Sequence, residues 1–387
     1  MTGGRGTRHL YVHLPFCSHR CGYCDFVTVV GDDSQHGTYV DALLAELENE
    51  RSGLEAPLAS IFVGGGTPTL TKADDLARLL DALPVAAEIT IEANPETVTP
   101  DLAALLHDHR VTRVSLGVQS FEPRLLNVLE RRGDACQAIR AFQALRSVGF
   151  DNLSLDLIYG TPGQTRDDLS SDLERALVLD PDHVSCYELE AKPGTRFTEI
   201  HGGDLSRQAD AMETYFEDAV AAMEAAGYRW YETANFCRRA GVRSGNDSRD
   251  LRAQHNLAVW QGSDYIGIGV GAVSTRALCR TRNTASLRRY LEAHAAGQPT
   301  PRTVEVLTPA ERGSELLMLG LRLDEGAELA TTGVAIDPAG SERMFERGLV
   351  DATETRLWLT RRGRFLANAV TVELLVASEH TALAATL

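Results

Sequence analysis

The 387-residue chain carries 38 lysine and arginine residues against 54 aspartate and glutamate residues, a formal net charge of −16. This acidity argues against a general surface for nucleic acid or anionic lipid. The composition is that of an ordinary globular protein, 43% hydrophobic and 24% charged, and it contains no apolar run long enough to cross a bilayer. The N-terminal residues M-T-G-G-R-G-T-R-H lack the apolar core of a secretory signal, so we expect a cytoplasmic protein.

Strand-like and helix-like patterns alternate from the N-terminus to about residue 235. The predicted strands are 10–14, 60–63, 88–93, 112–118, 153–158, 183–189 and, less distinctly, 229–236. The predicted helices lie near 37–52, 73–82, 100–108, 122–147, 166–178 and 206–226. Such alternation predicts a parallel sheet with right-handed crossovers. About six β/α units fall short of the eight that close a barrel, so we predict an α/β fold, an incomplete (β/α)6 TIM-like barrel.

The pattern changes after residue 236. An arginine- and serine-rich stretch, 237–253, predicts a loop, and the glycine-dense run that follows predicts a close approach of the backbone to a neighbour. A helix near 285–296 precedes G-Q-P-T-P-R, which predicts a linker at 297–302. The remainder is mainly helical and typical of a small winged-helix-like domain. We therefore expect a core barrel at 1–240, a glycine-rich extension at 241–300 and a C-terminal domain at 301–387.

The most specific motif is C-x3-C-x2-C in the loop after the first strand, formed by Cys17, Cys21 and Cys24. Thiolates bind soft metals, and three of them would leave one iron of an iron–sulfur cluster open to a small ligand. A structural zinc site or unrelated thiols are the alternatives, although the chain has no second C-x2-C pair. An odd total of seven cysteines argues against a disulfide framework. We expect a cluster here, and apolar packing for the other four cysteines.

Unusual residues also follow the later predicted strands, at the rim where barrel folds build their sites. The glycines Gly64–Gly66 with Thr67 would let backbone N–H groups approach a ligand, although a tight turn explains such a triplet equally well. Glu92 and Asp156 lie in apolar strands, where a carboxylate needs a partner. A nucleoside cofactor or neighbouring protein groups could supply it. Arg131 is either a clamp for a cofactor carboxylate or a solvated charge at a helix end.

The segment H-N-L-A-V-W brings His255 and Asn256 close to Trp260 in sequence. One interpretation is a structural histidine beside an aromatic ring. The other is a group that contacts a flat, apolar macrocycle. Residue types alone leave both open.

Together these motifs resemble the coproporphyrinogen-dehydrogenase-like branch of the radical S-adenosylmethionine (SAM) superfamily and, within it, the heme chaperones of the HemW family. The resemblance extends over nearly the whole chain and implies a radical SAM barrel with a HemW-like C-terminal domain. It rests on the stretches Y-V-H-L-P-F-C-S-H-R-C-G-Y-C-D-F, G-G-G-T-P-T, I-E-A-N-P-E, V-S-L-G-V-Q-S-F, N-L-S-L-D-L-I-Y-G-T-P-G-Q-T, P-D-H-V-S-C-Y-E-L, H-N-L-A-V-W, E-L-L-M-L-G-L-R-L and L-T-R-R-G-R-F-L-A-N.

The resemblance implies a [4Fe–4S] cluster on the three cysteines, with SAM chelating the open iron through its amino and carboxylate groups. Reductive cleavage of SAM to a 5′-deoxyadenosyl radical is the chemistry of the superfamily. By position, the residues that would surround SAM are Tyr11, Tyr23, Gly65, Gly66, Thr67, Glu92, Gln119, Arg131 and Asp156.

One position separates the two nearest functions. Relatives that oxidise coproporphyrinogen continue the cluster motif as C-x-x-C-x-C, whereas this chain has Phe26 there, as the heme chaperones do. The resemblance therefore implies a protein that binds heme, with His255 in the contacting segment, and passes it to hemoproteins, including membrane hemoproteins. Val259 and Val273 depart from the chaperone pattern, which has Tyr and commonly His at these positions. The alternative is a radical SAM enzyme, either oxygen-independent coproporphyrinogen III oxidase-like or a HemN-like methyltransferase. We expect no nucleic-acid partner, and a homodimer is one candidate assembly.

Overall fold

The computed structural model describes residues 6–31, 33–192, 195–239, 249–332 and 336–375. The strands are β1 (His9–Leu14), β2 (Phe16–Cys17), β3 (Val29–Val30), β4 (Leu58–Gly65), β5 (Ala86–Ala93), β6 (Arg113–Gln119), β7 (Leu153–Tyr159), β8 (His183–Glu188), β9 (Tyr228–Glu232), β10 (Asn235–Arg238), β11 (Ile266–Ile268), β12 (Val273–Arg276), β13 (Cys279–Asn283), β14 (Arg302–Val306), β15 (Ala327–Glu328), β16 (Val350–Ala352) and β17 (Arg356–Leu359).

The helices are α1 (His36–Glu50), α2 (Ala73–Ala82), α3 (Pro100–Asp108), α4 (Pro123–Val128), α5 (Ala135–Ser147), α6 (Arg166–Val178), α7 (Arg196–Gln208), α8 (Met212–Ala225), α9 (Gln254–Trp260), α10 (Leu287–Ala295), α11 (Pro309–Gly320), α12 (Leu329–Thr332), α13 (Pro338–Glu346), α14 (Arg361–Phe365) and α15 (Ala367–Leu374). None of the helices in these described ranges is both long and apolar enough to span a membrane.

A nine-stranded sheet organises the molecule, in the order β11-β1-β4-β5-β6-β7-β8-β10-β9. Its six central strands, β1 and β4 to β8, are parallel and follow chain order, as βαβ units require. β11 joins β1 in parallel, and the antiparallel hairpin β9–β10 joins β8. Within the described residues the edge strands β11 and β9 do not pair, so the barrel stays open. The predicted incomplete (β/α)6 barrel is confirmed.

Strand alternation divides buried apolar side chains from polar ones. In β1, Leu10, Val12 and Leu14 are fully buried in the main core, and the alternate residues, His9, Tyr11 and His13, make contacts on the opposite face. The rings of Tyr11 and Phe62 stack at a centroid distance of 6.2 Å on that face. The apolar face packs against the helices, so the other face, which is lined by polar and aromatic groups, is free to form the site.

Two of the predicted elements are each divided into two elements in the structure. The predicted helix 122–147 is α4 and α5, because Glu130 has a left-handed φ of +56° that ends the first helix. Asp134 and Gln137 then form a capping box that starts the second helix. The predicted strand 229–236 is the hairpin β9–β10, since the Glu232 carboxylate accepts from the Ala234 N–H at 2.9 Å and holds the turn.

The segment predicted to be a linker, 297–302, leads from α10 to β14. Thr300 donates its hydroxyl to the buried Glu46 of α1 at 2.9 Å, and Arg302 begins β14. β14 completes an antiparallel sheet of β12, β13 and β14. Residues 298–301 between α10 and β14 have no regular secondary structure, and the linker stays a prediction.

The C-terminal module has the element order of a winged helix. α11, β15, α12 and α13 precede the hairpin β16–β17, and β15 pairs with β17. It has a core of its own, which includes Leu317, Met344 and Leu357. Arg229 of β9 binds Asp324 at 2.7 Å and so links the module to the barrel. These features confirm the predicted winged-helix-like domain. The boundary expected between residues 240 and 241 lies outside the described residues, and the three-part division stays a prediction.

Candidate cofactor site

A cavity of about 140 Å³ lies at the carboxyl ends of the central parallel strands. This is the edge of a parallel sheet at which α/β proteins bind ligands. It brings together eleven of the residues predicted from the sequence, namely Cys17, Cys21, Tyr23, Cys24, Gly65, Gly66, Thr67, Glu92, Gln119, Arg131 and Asp156. Tyr11 and His255 are not among its lining residues.

The cysteine loop forms one wall of this cavity. Cys17 Sγ lies 3.6 Å from Thr67 Oγ1, and Arg131 Nη1 donates to Cys21 Sγ at 3.8 Å. Arg20 Nη2 donates to the carbonyl of Cys24 at 3.1 Å and curls the loop on itself. Burial raises the pKa of the Cys17 and Cys24 thiols, so neither is a thiolate at neutral pH until a cation binds.

The donor set fits a cluster better than a single ion. Among the residues that the structure describes, no three His, Cys, Asp or Glu side chains converge on a point where one metal ion could bind. Thiols around a four-iron cluster each bind a different iron, so they surround a volume and need not converge. Cys136, Cys186, Cys237 and Cys279 do not line the cavity. Three soft ligands on one wall therefore suit a cluster with one open iron.

The glycine loop after β4 forms the second wall, and glycine is required there. Gly65 has a φ of +117°, and a Cβ at this position would lie 2.6 Å from the imidazole of His13. A Cβ on Gly66 would lie 2.5 Å from the carbonyl oxygen of Pro15. Thr67 is fixed by Asn94, whose Nδ2 donates to Thr67 Oγ1 at 2.9 Å. The backbone can therefore reach the cysteine loop and any ligand bound to it.

Two carboxylates face this cavity from different strands. Burial raises the pKa of Glu92 to about 7, against the opposing effect of the Gly65 N–H, which donates to Glu92 Oε2 at 3.0 Å. Burial also raises the pKa of Asp156, although Ser115 donates to its two oxygens at 3.1 and 3.0 Å. Both groups would be stabilised as anions by the hydroxyl or ammonium groups of a ligand.

Arg131 supplies the positive charge. Its Nη2 donates to Asn94 Oδ1 and to the carbonyl of Gly117, both at 2.8 Å, which fixes the guanidinium beside the cysteine loop. Gln119 has a left-handed φ of +68° at the point where the register of β6 and β7 shifts. Such strain at a strand end is typical of functional sites. Together these residues can orient an anionic group and a neighbouring polar group of a ligand.

Tyr23 lines the apolar side of the site, and Tyr11 lies outside the lining of the cavity. Tyr23 packs against the cluster formed by Leu129, Ile158, Leu189 and Phe197. The hydroxyl of Tyr11 lies 2.9 Å from His13 Nδ1, and His13 Nε2 lies 2.8 Å from the carbonyl oxygen of Val27. Because a carbonyl only accepts, Nε2 carries the hydrogen, and Nδ1 accepts from the tyrosine.

His13 therefore joins the strand, the glycine loop and the end of the cysteine loop. The sequence alone does not assign His13 a role, because the partners of its two ring nitrogens are apparent only from the fold. Its place among apolar residues in the stretch Y-V-H-L-P was the available signal. Ser115 was missed for the same reason, and Asn94 was noted only as a residue that follows the third predicted strand.

His255 lies apart from the cavity. It is 4% exposed, and its Nδ1 lies 3.2 Å from Ser60 Oγ, while its ring packs on Phe62 at a centroid distance of 5.5 Å. Burial lowers the pKa of His255 to about 3, so the ring is neutral. Gln254 N–H, at the start of the same helix, donates to the buried Glu88 at 2.9 Å. The heme contact expected of His255 stays a prediction, and the arrangement described here is that of a packed core histidine.

Comparison with known proteins agrees with this architecture. The Radical SAM superfamily profile matches residues 11–176, and the HemN C-terminal domain profile matches residues 307–366. The structure of coproporphyrinogen III oxidase (HemN) from Escherichia coli, described as a radical SAM enzyme, superposes with a TM-score of 0.75 over 95% of this chain and 90% of that one. At 22% identity this likeness supports the fold alone.

Sequence relatives are closer. The heme chaperone HemW of Mycobacterium tuberculosis (strain CDC 1551 / Oshkosh) is 37% identical over 95% of this chain and 94% of its own length. HemW of Bacillus subtilis (strain 168) is 34% identical over 93% and 97%, and that of Escherichia coli (strain K12) is 33% identical over 93% and 96%. Identity at this level over nearly the full length of both sequences shows that the chain and these relatives belong to one family. The chain belongs to the HemW family, within the radical SAM superfamily.

Proposed function

We propose that this chain is a cytoplasmic heme chaperone, which binds a [4Fe–4S] cluster, SAM and heme, and delivers heme to hemoproteins. One observation supports the cofactor part above all: three thiols, a glycine loop, two carboxylates and an arginine line a single cavity. The heme part is supported by the extent of the likeness to proteins named heme chaperones.

Each side chain has a definite task in this proposal. Cys17, Cys21 and Cys24 would hold the cluster, whose chemistry with SAM, when both are bound, is one-electron reduction. Arg131 would pair with the carboxylate of SAM, because its guanidinium is already fixed beside Cys21. Glu92 and Asp156 would accept hydrogen bonds from the amino group or the ribose hydroxyls of SAM. The residues thus bind and orient, and the glycine loop excludes water from one side.

Anaerobic reconstitution tests the cluster. We expect the protein to take up iron and sulfide in equal amounts, and we expect SAM to change the electron paramagnetic resonance spectrum of the reduced cluster. Cys24→Ser should lose both properties, because it removes one of three thiolate ligands. The matched control is Cys136→Ser, since Cys136 is exposed and outside the cavity. A full cluster in Cys24→Ser would refute the assignment.

A heme titration of the reconstituted protein tests the chaperone part. We expect saturable, stoichiometric binding in the Soret band, followed by transfer of the heme to an apo-hemoprotein. His255→Ala reports whether the predicted segment contributes to heme affinity. Absence of heme binding, together with multiple-turnover release of 5′-deoxyadenosine, would instead identify the alternative, a radical SAM enzyme.

A further inference from the structure

A second and larger depression lies on the C-terminal module, away from the cofactor site. It has a volume of about 820 Å³, within the range of ligand and peptide pockets. We call it the α13 groove, and it is lined by apolar and acidic side chains that include Leu329, Ile336, Glu342, Phe345, Glu346 and Leu357. Phe345 is 42% exposed although it is aromatic. An exposed aromatic ring in an apolar depression is typical of an interaction surface.

The charges of the α13 groove are all of one sign. Glu342 and Glu346 lie one helical turn apart, and neither forms an ion pair with another described residue. The neighbouring Arg343 is already bound to Glu373 at 2.8 Å. Two like charges at this spacing disfavour the helix, so a partner that brings two cations would relieve a repulsion as well as form new contacts.

This charge pattern selects among the candidate occupants. Heme carries anionic propionates, and nucleic acid and anionic lipid carry phosphates, so the two glutamates would repel all three. α13 also occupies the recognition-helix position of a winged helix, where a phosphate-binding protein would need cations. The C-terminal residues 376–387, V-A-S-E-H-T-A-L-A-A-T-L, contain no lysine or arginine. An amphipathic helix with lysine or arginine beside its apolar face would cover the apolar side chains of the groove and pair with its two glutamates.

We propose that the α13 groove docks a basic amphipathic helix of the hemoprotein that accepts heme. The identity of the partner as an acceptor rests on the proposed function, whereas the docking chemistry follows from the groove itself. The apolar stripe of the helix covers Phe345 and Leu357, and two cations one turn apart pair with Glu342 and Glu346. The short cytoplasmic loops beside membrane helices carry an excess of lysine and arginine, so an acceptor embedded in a membrane would offer cations of the required sign.

The test uses the full-length reconstituted protein and fluorescence anisotropy. The probe is a fluorescein-labelled synthetic helix of about 14 residues, with leucine on one face and lysine pairs four residues apart. We expect saturable binding that weakens with added salt. Glu342→Lys combined with Glu346→Lys should weaken it by at least about tenfold. Phe345→Ala should weaken it without changing its salt dependence. Glu354→Lys, on the exposed turn of the same module, is the control and should bind normally.

A second peptide, with glutamate in place of lysine, should prefer the charge-reversed variant. Equal binding of the lysine peptide to the wild type and the reversed variant would overturn the proposal, as would no saturable binding at all. Preferential binding of the wild type to anionic vesicles, or self-association through this face, would also overturn it. Heme titration of the same preparations separates the two proposals: loss of heme binding with intact peptide binding would refute the proposed function alone.

Discussion

Replacing Glu92 with glutamine should stabilise the cofactor-free protein above neutral pH and weaken SAM binding. The carboxylate lines the cavity, and within the part of the chain that the structure describes its only hydrogen bond comes from the Gly65 N–H at 3.0 Å. Burial is the main cause of its raised pKa. A neutral amide keeps an oxygen that can accept the same N–H, yet it does not incur the cost of burying a charge.

The magnitude follows from the difference between the folded and unfolded pKa. Glu92 titrates near 4.5 when exposed and at about 7 in the folded protein, so the folded state binds an extra proton between these values. Its contribution to stability is therefore fully present below pH 4.5 and declines as the pH rises to about 7. At about 1.4 kcal/mol per pH unit, the ionised group costs the folded state up to about 3 kcal/mol. Contact with the solvent in the cavity reduces this upper value.

The assay is urea unfolding of the metal-free protein, followed by circular dichroism, at about pH 4 and about pH 8. The variant should match the wild type at the lower pH and exceed it at the higher one. Glu354→Gln, on an exposed turn, should show no such difference. SAM affinity of the reconstituted variant should fall about tenfold, the loss of one hydrogen bond to a charged acceptor. Identical pH dependence in the variant and the wild type would refute the argument from burial, and unchanged SAM affinity would refute the binding role.

Two further substitutions and one chemical modification test other parts of the site. Gly65→Ala should lower the free energy of unfolding by about 2 kcal/mol or more and reduce cluster content, because its Cβ would lie 2.6 Å from an imidazole. The control Gly297→Ala, also at positive φ but with nothing within 4 Å, should lower the free energy of unfolding by less. Arg131→Lys should keep the cluster but weaken SAM binding about tenfold, since one ammonium cannot replace the fork that binds two oxygens; equal affinity would contradict this. In the apo protein, iodoacetamide should alkylate Cys24 more slowly than Cys136 at neutral pH, as mass spectrometry would show, because burial raises the pKa of Cys24.

The sequence was most informative where function follows from position along one strand and its loop. The cysteine spacing, the glycine run and the acids at the strand ends each depend on local order, and the parallel sheet then brings them to one edge. His13 was not found, because its role depends on Val27 and Gly65, which are contacts that alternation in β1 does not specify.

His255 was predicted as a site residue, but the sequence around it does not decide its role. A histidine a few residues before a tryptophan in sequence has two physical interpretations, and the choice depends on Ser60 and Phe62, nearly two hundred residues earlier. Thr300 is a similar case, because its partner Glu46 belongs to the first helix. Sequence patterns predict faces and turns, and they do not predict which distant polar group will satisfy a buried one.

The position of β11 has a consequence for how this chain is made. β1 lies between β4 and β11, and Leu10 aligns with Ile61 on one side and Ile266 on the other. During synthesis the β4 side can pair early, but the opposite edge of the first strand stays open until residues 266–268 have left the ribosome. For most of translation the nascent barrel therefore exposes an unpaired edge beside the three cysteines. Such an exposed edge can pair with the wrong strand or with another chain. Insertion of the cluster before that edge is covered would have to occur on an incomplete barrel.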